Sequence, residues 1–165
     1  MNHALRTIGL AALLALGACA HDGAAPADVN TCPYASANDG TQSYDILCSD
    51  PIATHVKVKH ILIGWKDMST STQRPMDPRA AQRTYADAQQ LARDLLQQLN
   101  SGAAIEPLMA KYSEDPGSAQ SGAAYDASPD AGLVSEFKAL SLRLKVGQAG
   151  IVKSQFGLHV IQRVN

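Results

Sequence analysis

The chain has 165 residues, of which 45% are apolar and 18% charged, and its formal charge is −1. That length suits one folded domain, and the composition excludes a disordered polyelectrolyte. The near-neutral balance carries no electrostatic footprint of a nucleic-acid binder, and with aromatics at only 5% the core must be filled by aliphatic side chains.

Residues 1–18 read as a secretory signal. Arg6 and the terminal amine supply a weakly positive start, Ile8 to Leu16 a short apolar run, and Gly17, Ala18 and Ala20 a small-residue neighbourhood around Cys19. The run is too short to span a bilayer. Leu16-Gly17-Ala18-Cys19 has the form of a bacterial lipobox, which makes Cys19 the lipidated first residue of the mature chain. Ordinary cleavage after Ala18-Cys19-Ala20 is the alternative. Ala20 and His21 after the cysteine, rather than Asp, point to the outer membrane by the usual bacterial sorting pattern.

The chain has three cysteines, Cys19, Cys32 and Cys48, and an odd thiol in an exported protein needs a use. If Cys19 carries lipid, Cys32 and Cys48 remain as a pair in an oxidising compartment. A disulfide between them would contribute roughly 3 kcal/mol in the chain-entropy account; two free thiols are the alternative. Residues 19–52 are rich in Ala, Asp, Asn, Ser, Pro and Gly without a sustained period, and read as a tether. The loop closed by the two cysteines is a candidate small ordered element that docks on the domain. A domain follows from residue 53 to residue 165.

His55 to Trp65 reads as a strand, with Val56, Val58, His60 and Leu62 on one face. Lys66 to Met76 is a polar loop. Asp77-Pro78 has the form of a helix start, with Asp as N-cap and Pro at the first position. Ala81, Tyr85, Ala88, Ala92, Leu95 and Leu99 then keep the helical period to Asn100, and Gly102 ends it. A short helix is expected over Ile105 to Tyr112, a turn at Asp115-Pro116-Gly117 and a short strand over Ala123 to Asp126. Ser135 is positioned to cap a helix through Leu142, placing Phe137, Leu140 and Leu144 near the core. Gly150 to Lys153 and Leu158 to Val164 read as a closing hairpin around Ser154 to Gly157. This order of strands and helices indicates an α+β fold.

Three motifs carry the chemistry: Val58-Lys59-His60-Ile61-Leu62-Ile63, Tyr112-Ser113-Glu114-Asp115-Pro116-Gly117-Ser118-Ala119, and Phe156-Gly157-Leu158-His159-Val160-Ile161. A histidine in a β-branched run is usually a partly buried strand residue. Two of them, with a Ser-Glu-Asp-Pro-Gly-Ser turn between, are more specific. The pattern resembles the parvulin family of peptidyl-prolyl cis/trans isomerases, over roughly Ala53 to Val164. The resemblance implies a four-stranded antiparallel sheet surrounded by about four helices, and an enzyme that needs no cofactor. It matches His60 and His159 to the two core histidines, Asp115 to the Cys or Asp facing the twisting peptide, and Ser154 to a hydroxyl at the pocket edge. It matches Leu133 and Phe137 to the seat of the proline ring. Packing of a buried imidazole pair, and ordinary core packing for Leu133 and Phe137, are the structural alternatives. A carboxylate at Asp115 is expected to raise the proton affinity of the imidazoles.

The chain departs from the family pattern at Gly122-Ala123-Ala124-Tyr125-Asp126, where many members carry Gly-Gly-Asp-Leu-Gly, and at Leu158, where an aromatic is common. Lys66, Arg74, Arg79 and Arg83 are scattered over the first loop and helix, and read as a solvated face rather than a phosphate-selecting cluster. No metal site is expected: His55 and His60 face opposite ways on a strand. The expected function is isomerisation of X–Pro bonds in exported proteins by a monomer anchored at the periplasmic side of a membrane through Cys19. A non-catalytic peptide-binding holdase using the same groove is the alternative. A structural envelope lipoprotein is a third reading that rests on the anchor and tether alone.

Overall fold

The computed structural model describes residues 32–34, 39–68 and 75–165. The segment expected to be a signal, Cys19, most of the first part of the expected tether, and Arg74 lie outside the described residues. Four strands form one antiparallel sheet: β1 (Val56–Ile63), β2 (Tyr125–Ala127), β3 (Ala149–Ser154) and β4 (Gly157–Arg163). Their order is β2-β1-β4-β3, so the first long strand and the last lie side by side at the centre. The helices are α1 (Tyr44–Leu47), α2 (Tyr85–Asn100), α3 (Ile105–Tyr112) and α4 (Ser135–Ser141).

Both faces of the sheet are covered, which explains why β1 ends in an uninterrupted buried run rather than a strict alternation. Ile61, Ile63, Leu158, Val160 and Ile151 pack on one face against Ala88, Ala92, Leu95 and Leu99 of α2 and Ile105 and Met109 of α3. Val56, Val58, Val152 and Ile161 pack on the other against Phe137 and Leu140 of α4 and Leu47 of α1. Each large aliphatic side chain buried in this way contributes roughly 1.5–3 kcal/mol of transfer free energy. Leu158, the apolar residue before the second histidine, is wholly buried in the α2 face, away from the histidines.

Several elements differ in their limits from expectation. Asp77 does not cap α2. Its carboxylate accepts from the Arg79 backbone N–H and guanidinium, which closes a local turn ahead of a single 3-10 turn at Ala80–Gln82. Arg83 is then extended, and α2 starts with Thr84 as N-cap. Thr84 Oγ1 accepts from the Asp87 N–H while the Asp87 carboxylate accepts from the Thr84 N–H, so a capping box outcompetes the Asp-Pro start. Ser135 is likewise the first residue of α4 and not its cap; Val134 holds the N-cap and makes no side-chain cap bond. β2 lies slightly later than the expected strand, because its register is set by pairing with β1, Val58 opposite Tyr125 and Val56 opposite Ala127.

Residues 39–52, expected within the tether, lie packed on the sheet. The Ser43 N–H donates to the Ile151 carbonyl, Ser43 Oγ accepts from the Ile151 N–H, and Gln42 Oε1 accepts from the Lys153 N–H. These bonds satisfy the outer edge of β3, which would otherwise present unpaired backbone groups. Leu47 anchors the segment in the α4 core, and Cys32 and Cys48 are joined in a disulfide with Cα atoms 5.4 Å apart. Among the described residues no helix is long and apolar enough to cross a membrane.

The β3–β4 hairpin turns through Gln155-Phe156. Gly157, with φ at +139°, lies so close to the end of β1 that a Cβ there would sit 2.5 Å from the Ile63 carbonyl oxygen. Only glycine meets both conditions.

Candidate active site

Pairing of β1 with β4 sets His60 opposite Ile161 and Leu62 opposite His159. The two histidines are therefore diagonal neighbours on the face that packs against α4. Their Nδ1 atoms are 3.2 Å apart, and Phe137 of α4 stands edge-on to both rings at centroid distances of 5.2 and 5.4 Å.

Asp115 reaches this pair from the turn after α3. Ser113 and Glu114 tie that turn to the sheet. Ser113 Oγ accepts from the N–H groups of Leu62 (3.1 Å) and Asp115 (3.3 Å), and the Glu114 N–H donates to the Leu62 carbonyl (2.9 Å). The Glu114 carboxylate turns the other way, bridging the Gly64 N–H and the Arg83 guanidinium. Asp115 Oδ2 lies 3.2 Å from His60 Nε2 and accepts from the hydroxyls of Ser118 (2.7 Å) and Tyr125 (2.8 Å). At the other end Ser154 Oγ is 2.7 Å from His159 Nε2 and accepts from the Phe156 N–H.

The hydrogen bonds of its neighbours hold the Asp115 carboxyl well below the usual carboxylate range, the one with His60 first and those with Ser118 and Tyr125 after it. Burial opposes them and does not prevail. With Asp115 ionised, His60 Nε2–H donates to it. The two Nδ1 atoms share one hydrogen bond and His159 Nε2 bonds to the Ser154 hydroxyl, so every ring nitrogen has a partner. Asp115 acts on His159 in the expected direction, but other causes outweigh it. Burial pushes His159 down to about 3, the proximity of His60 adds to this, and the attraction of Asp115 only partly offsets them.

An open cleft with about 260 Å³ of space lies over the pair. Leu62, Tyr125, Leu133, Val134, Phe137 and Phe156 give it apolar walls, and His60, His159 and Asp115 supply its polar atoms. Ser154 is not on the wall; it supports His159 from behind. Sequence reasoning missed Tyr125, Ser118, Ser113 and Phe156. Ser118 had a local signal, lying three residues after Asp115 in a turn, where side-chain bonds of this kind are common. Tyr125 had none, because its partner lies ten residues away.

The Gly122–Asp126 segment accommodates its alanines. Gly122 takes the left-handed conformation at φ +64°, and no non-glycine residue among those described has positive φ. Arg79 and Arg83 are not on a helix face. Arg79 is held by Asp77 and by the carbonyls of Lys111 and Ser113, and Arg83 by Glu114 and the Gly64 carbonyl. Among the described residues no group of three or more His, Cys, Asp or Glu side chains is placed to hold a metal ion.

Comparison with known proteins agrees with this geometry. A family model described as the PPIC-type PPIase domain matches residues 47–165. Foldase protein PrsA 4 of Bacillus cereus is 39% identical over 72 residues, which are 43% of this chain and 26% of that protein. Chaperone SurA of Chromohalobacter salexigens is 31% identical over 112 residues, 67% of this chain and 22% of that one. The chain thus matches about a quarter of the length of each curated relative. The structure of peptidyl-prolyl isomerase ESS1 from Candida albicans superposes with a TM-score of 0.56 at 22% identity, covering 68% of this chain and 63% of that chain, and shows the shared fold.

Proposed function

This chain belongs to the PPIC-type peptidyl-prolyl isomerase, or parvulin, family, and from that premise we propose that it isomerises X–Pro bonds of exported proteins in the bacterial cell envelope. The observation that carries the reading is the hydrogen-bonded run Asp115–His60–His159–Ser154 beneath a cleft walled by Leu133, Phe137 and Tyr125.

Rotation about an X–Pro amide meets a barrier of about 18–20 kcal/mol and takes tens to hundreds of seconds unaided. No bond breaks and no proton has to leave. The catalyst must bind the twisted amide, whose nitrogen has lost conjugation, better than either planar isomer. Here the apolar walls, Phe137 above all, seat the proline ring and exclude water. Asp115 and the two imidazoles form a pre-oriented polar floor that needs no reorganisation as the carbonyl swings. Lowering the barrier by about 5 kcal/mol would give roughly four decades in rate.

The same cleft supports a second reading. The polar atoms of the floor are bonded to one another, which favours a peptide-binding holdase with little catalysis. NMR exchange spectroscopy on a panel of X–Pro peptides separates the two. Enhanced cis/trans exchange is expected for at least part of the panel; binding without enhancement for any peptide would leave the holdase.

The place of work is proposed from the N-terminal segment, with lipid on Cys19 holding a monomer at the periplasmic face, in the outer membrane. A disulfide at Cys32–Cys48 suits an oxidising compartment, and the relatives called foldase and chaperone suit unfolded exported clients. Cys19→Ser should move the protein from the membrane fraction to the soluble periplasm, because a single anchor of this kind supplies the membrane affinity. A Cys19→Ser protein that is processed normally and still sediments with membranes would refute the anchor.

A further inference from the structure

We propose that Tyr125 is a positioning residue of this centre, its hydroxyl fixing the Asp115 carboxylate against His60. The proposal rests on the isomerase reading and adds to it a residue from β2, the short edge strand. Tyr125 Oη is 2.8 Å from Asp115 Oδ2, the same oxygen that accepts from His60 and Ser118. Its ring stands edge-on to His60 at 5.2 Å and to Phe137 at 6.0 Å, so the side chain is wedged between the histidine floor and the apolar wall. The register of β2 on β1 delivers it there, Tyr125 lying opposite Val58 on the strand that carries His60.

Gly117 supplies an independent observation. A Cβ at this position would meet Tyr125 Oη at 3.3 Å and the two Asp115 carboxylate oxygens at 3.6 Å. The turn therefore leaves, beside Asp115, the space that the phenol hydroxyl occupies. Ser118 belongs to the same turn as Asp115 and moves with it. Tyr125 instead ties the turn to the sheet, and so limits where the carboxylate can stand relative to His60. The groups facing Asp115 are His60 from β1, with His159 of β4 behind it, and Tyr125 from β2; Phe137 of α4 brings no charge, and Glu114 is turned to Arg83.

The test uses Tyr125→Phe, which keeps the ring and its packing and removes only the O–H. We expect a melting temperature close to that of the unchanged chain, kcat lowered about tenfold as for one lost hydrogen bond to a charged group, and KM little changed. At neutral pH the Asp115 carboxyl-carbon resonance should move with loss of the phenol hydrogen bond, and the His60 Nε2 proton should exchange faster with water. Gly117→Ala should act in the same direction by crowding the hydroxyl, and should add nothing in the Tyr125→Phe background. An unchanged carboxyl-carbon resonance together with unchanged His60 proton exchange in Tyr125→Phe would overturn the proposal. So would a Gly117→Ala effect of full size in the Tyr125→Phe background. Both NMR readouts stand apart from turnover: an unchanged chain inactive on every peptide refutes the isomerase reading, and the NMR still decides the role of Tyr125.

Discussion

Phe137→Ala is expected to lower stability by about 3 kcal/mol, as for removal of a large buried aromatic, and to abolish most turnover. Phe137 is 3% exposed and lies at the meeting point of three structures: the α4 core with Leu140 and Val152, the edge contacts with both histidines, and the cleft wall. Truncation removes packing from all three. Because folding and function are lost together, the informative comparison is Phe137→Leu, which keeps most of the apolar volume. It should retain much of the stability while raising KM for X–Pro peptides, since the flat ring seat is gone. Urea unfolding and exchange kinetics on both variants check this. A Phe137→Leu protein with unaltered KM would remove Phe137 from the substrate site and leave it a core residue.

Asp115→Ala should lower kcat/KM by at least tenfold, about 1.4 kcal/mol, and should also cost about 1–3 kcal/mol of stability, because His60, Ser118 and Tyr125 lose their common acceptor inside the fold. Full activity in the Asp115→Ala protein would end its catalytic assignment. The same network sets a pH dependence with a definite sign. The carboxyl of Asp115 is depressed in the folded state, so its contribution is present above the ordinary value of 3.8 and is lost as pH falls below it. His159 is also depressed, from 6.5 to about 3, so below 6.5 the unfolded chain takes up a proton that the folded chain refuses. Both effects remove stability on acidification. Between about pH 6.5 and 4 His159 alone should give a slope approaching 1.4 kcal/mol per pH unit. Unfolding curves at several pH values in that interval measure it, and His159→Asn should flatten the slope; an equal slope in that variant would contradict the burial of a neutral imidazole.

The sheet was largely legible from residue order. The β-branched runs around His60 and His159, the period of Ala88, Ala92, Leu95 and Leu99, and the Gly157 turn carry their own structural signals, because propensity and periodicity act over neighbours. The beginnings of α2 and α4 were less legible. Asp77-Pro78 and Ser135 are both good local starts, and each side chain is engaged elsewhere: Asp77 by Arg79, with α2 started by the Thr84–Asp87 box, and the Ser135 hydroxyl by the Glu136 carboxylate. The loop closed by Cys32 and Cys48 reads in sequence as an element that docks on the domain, but the bonds that hold it were not legible. Ser43 and Gln42 look like tether composition, and their backbone-capping use appears only once the edge of β3 exists to be capped.

The sequence by itself carried three motifs, and their resemblance to the parvulin family implied which residue types meet: two histidines in paired strands, a carboxylate in a turn between them, and an aromatic on the covering helix. The strands and the turn are local signals, but the pairing that brings His60 to His159 joins residues 99 apart and exists only in the closed sheet. Only the tertiary structure decided the protonation of His159 and the support of the site. Burial makes His159 a neutral link where charge attraction alone suggested a stronger base. The 2.8 Å reach of Tyr125 to Asp115 exists because β2 pairs with β1 at one register. Arg83 is drawn inward by Glu114, and Arg79, still exposed, is held by Asp77. Desolvation and through-space hydrogen bonds depend on the closed fold, and no periodicity along the chain encodes them.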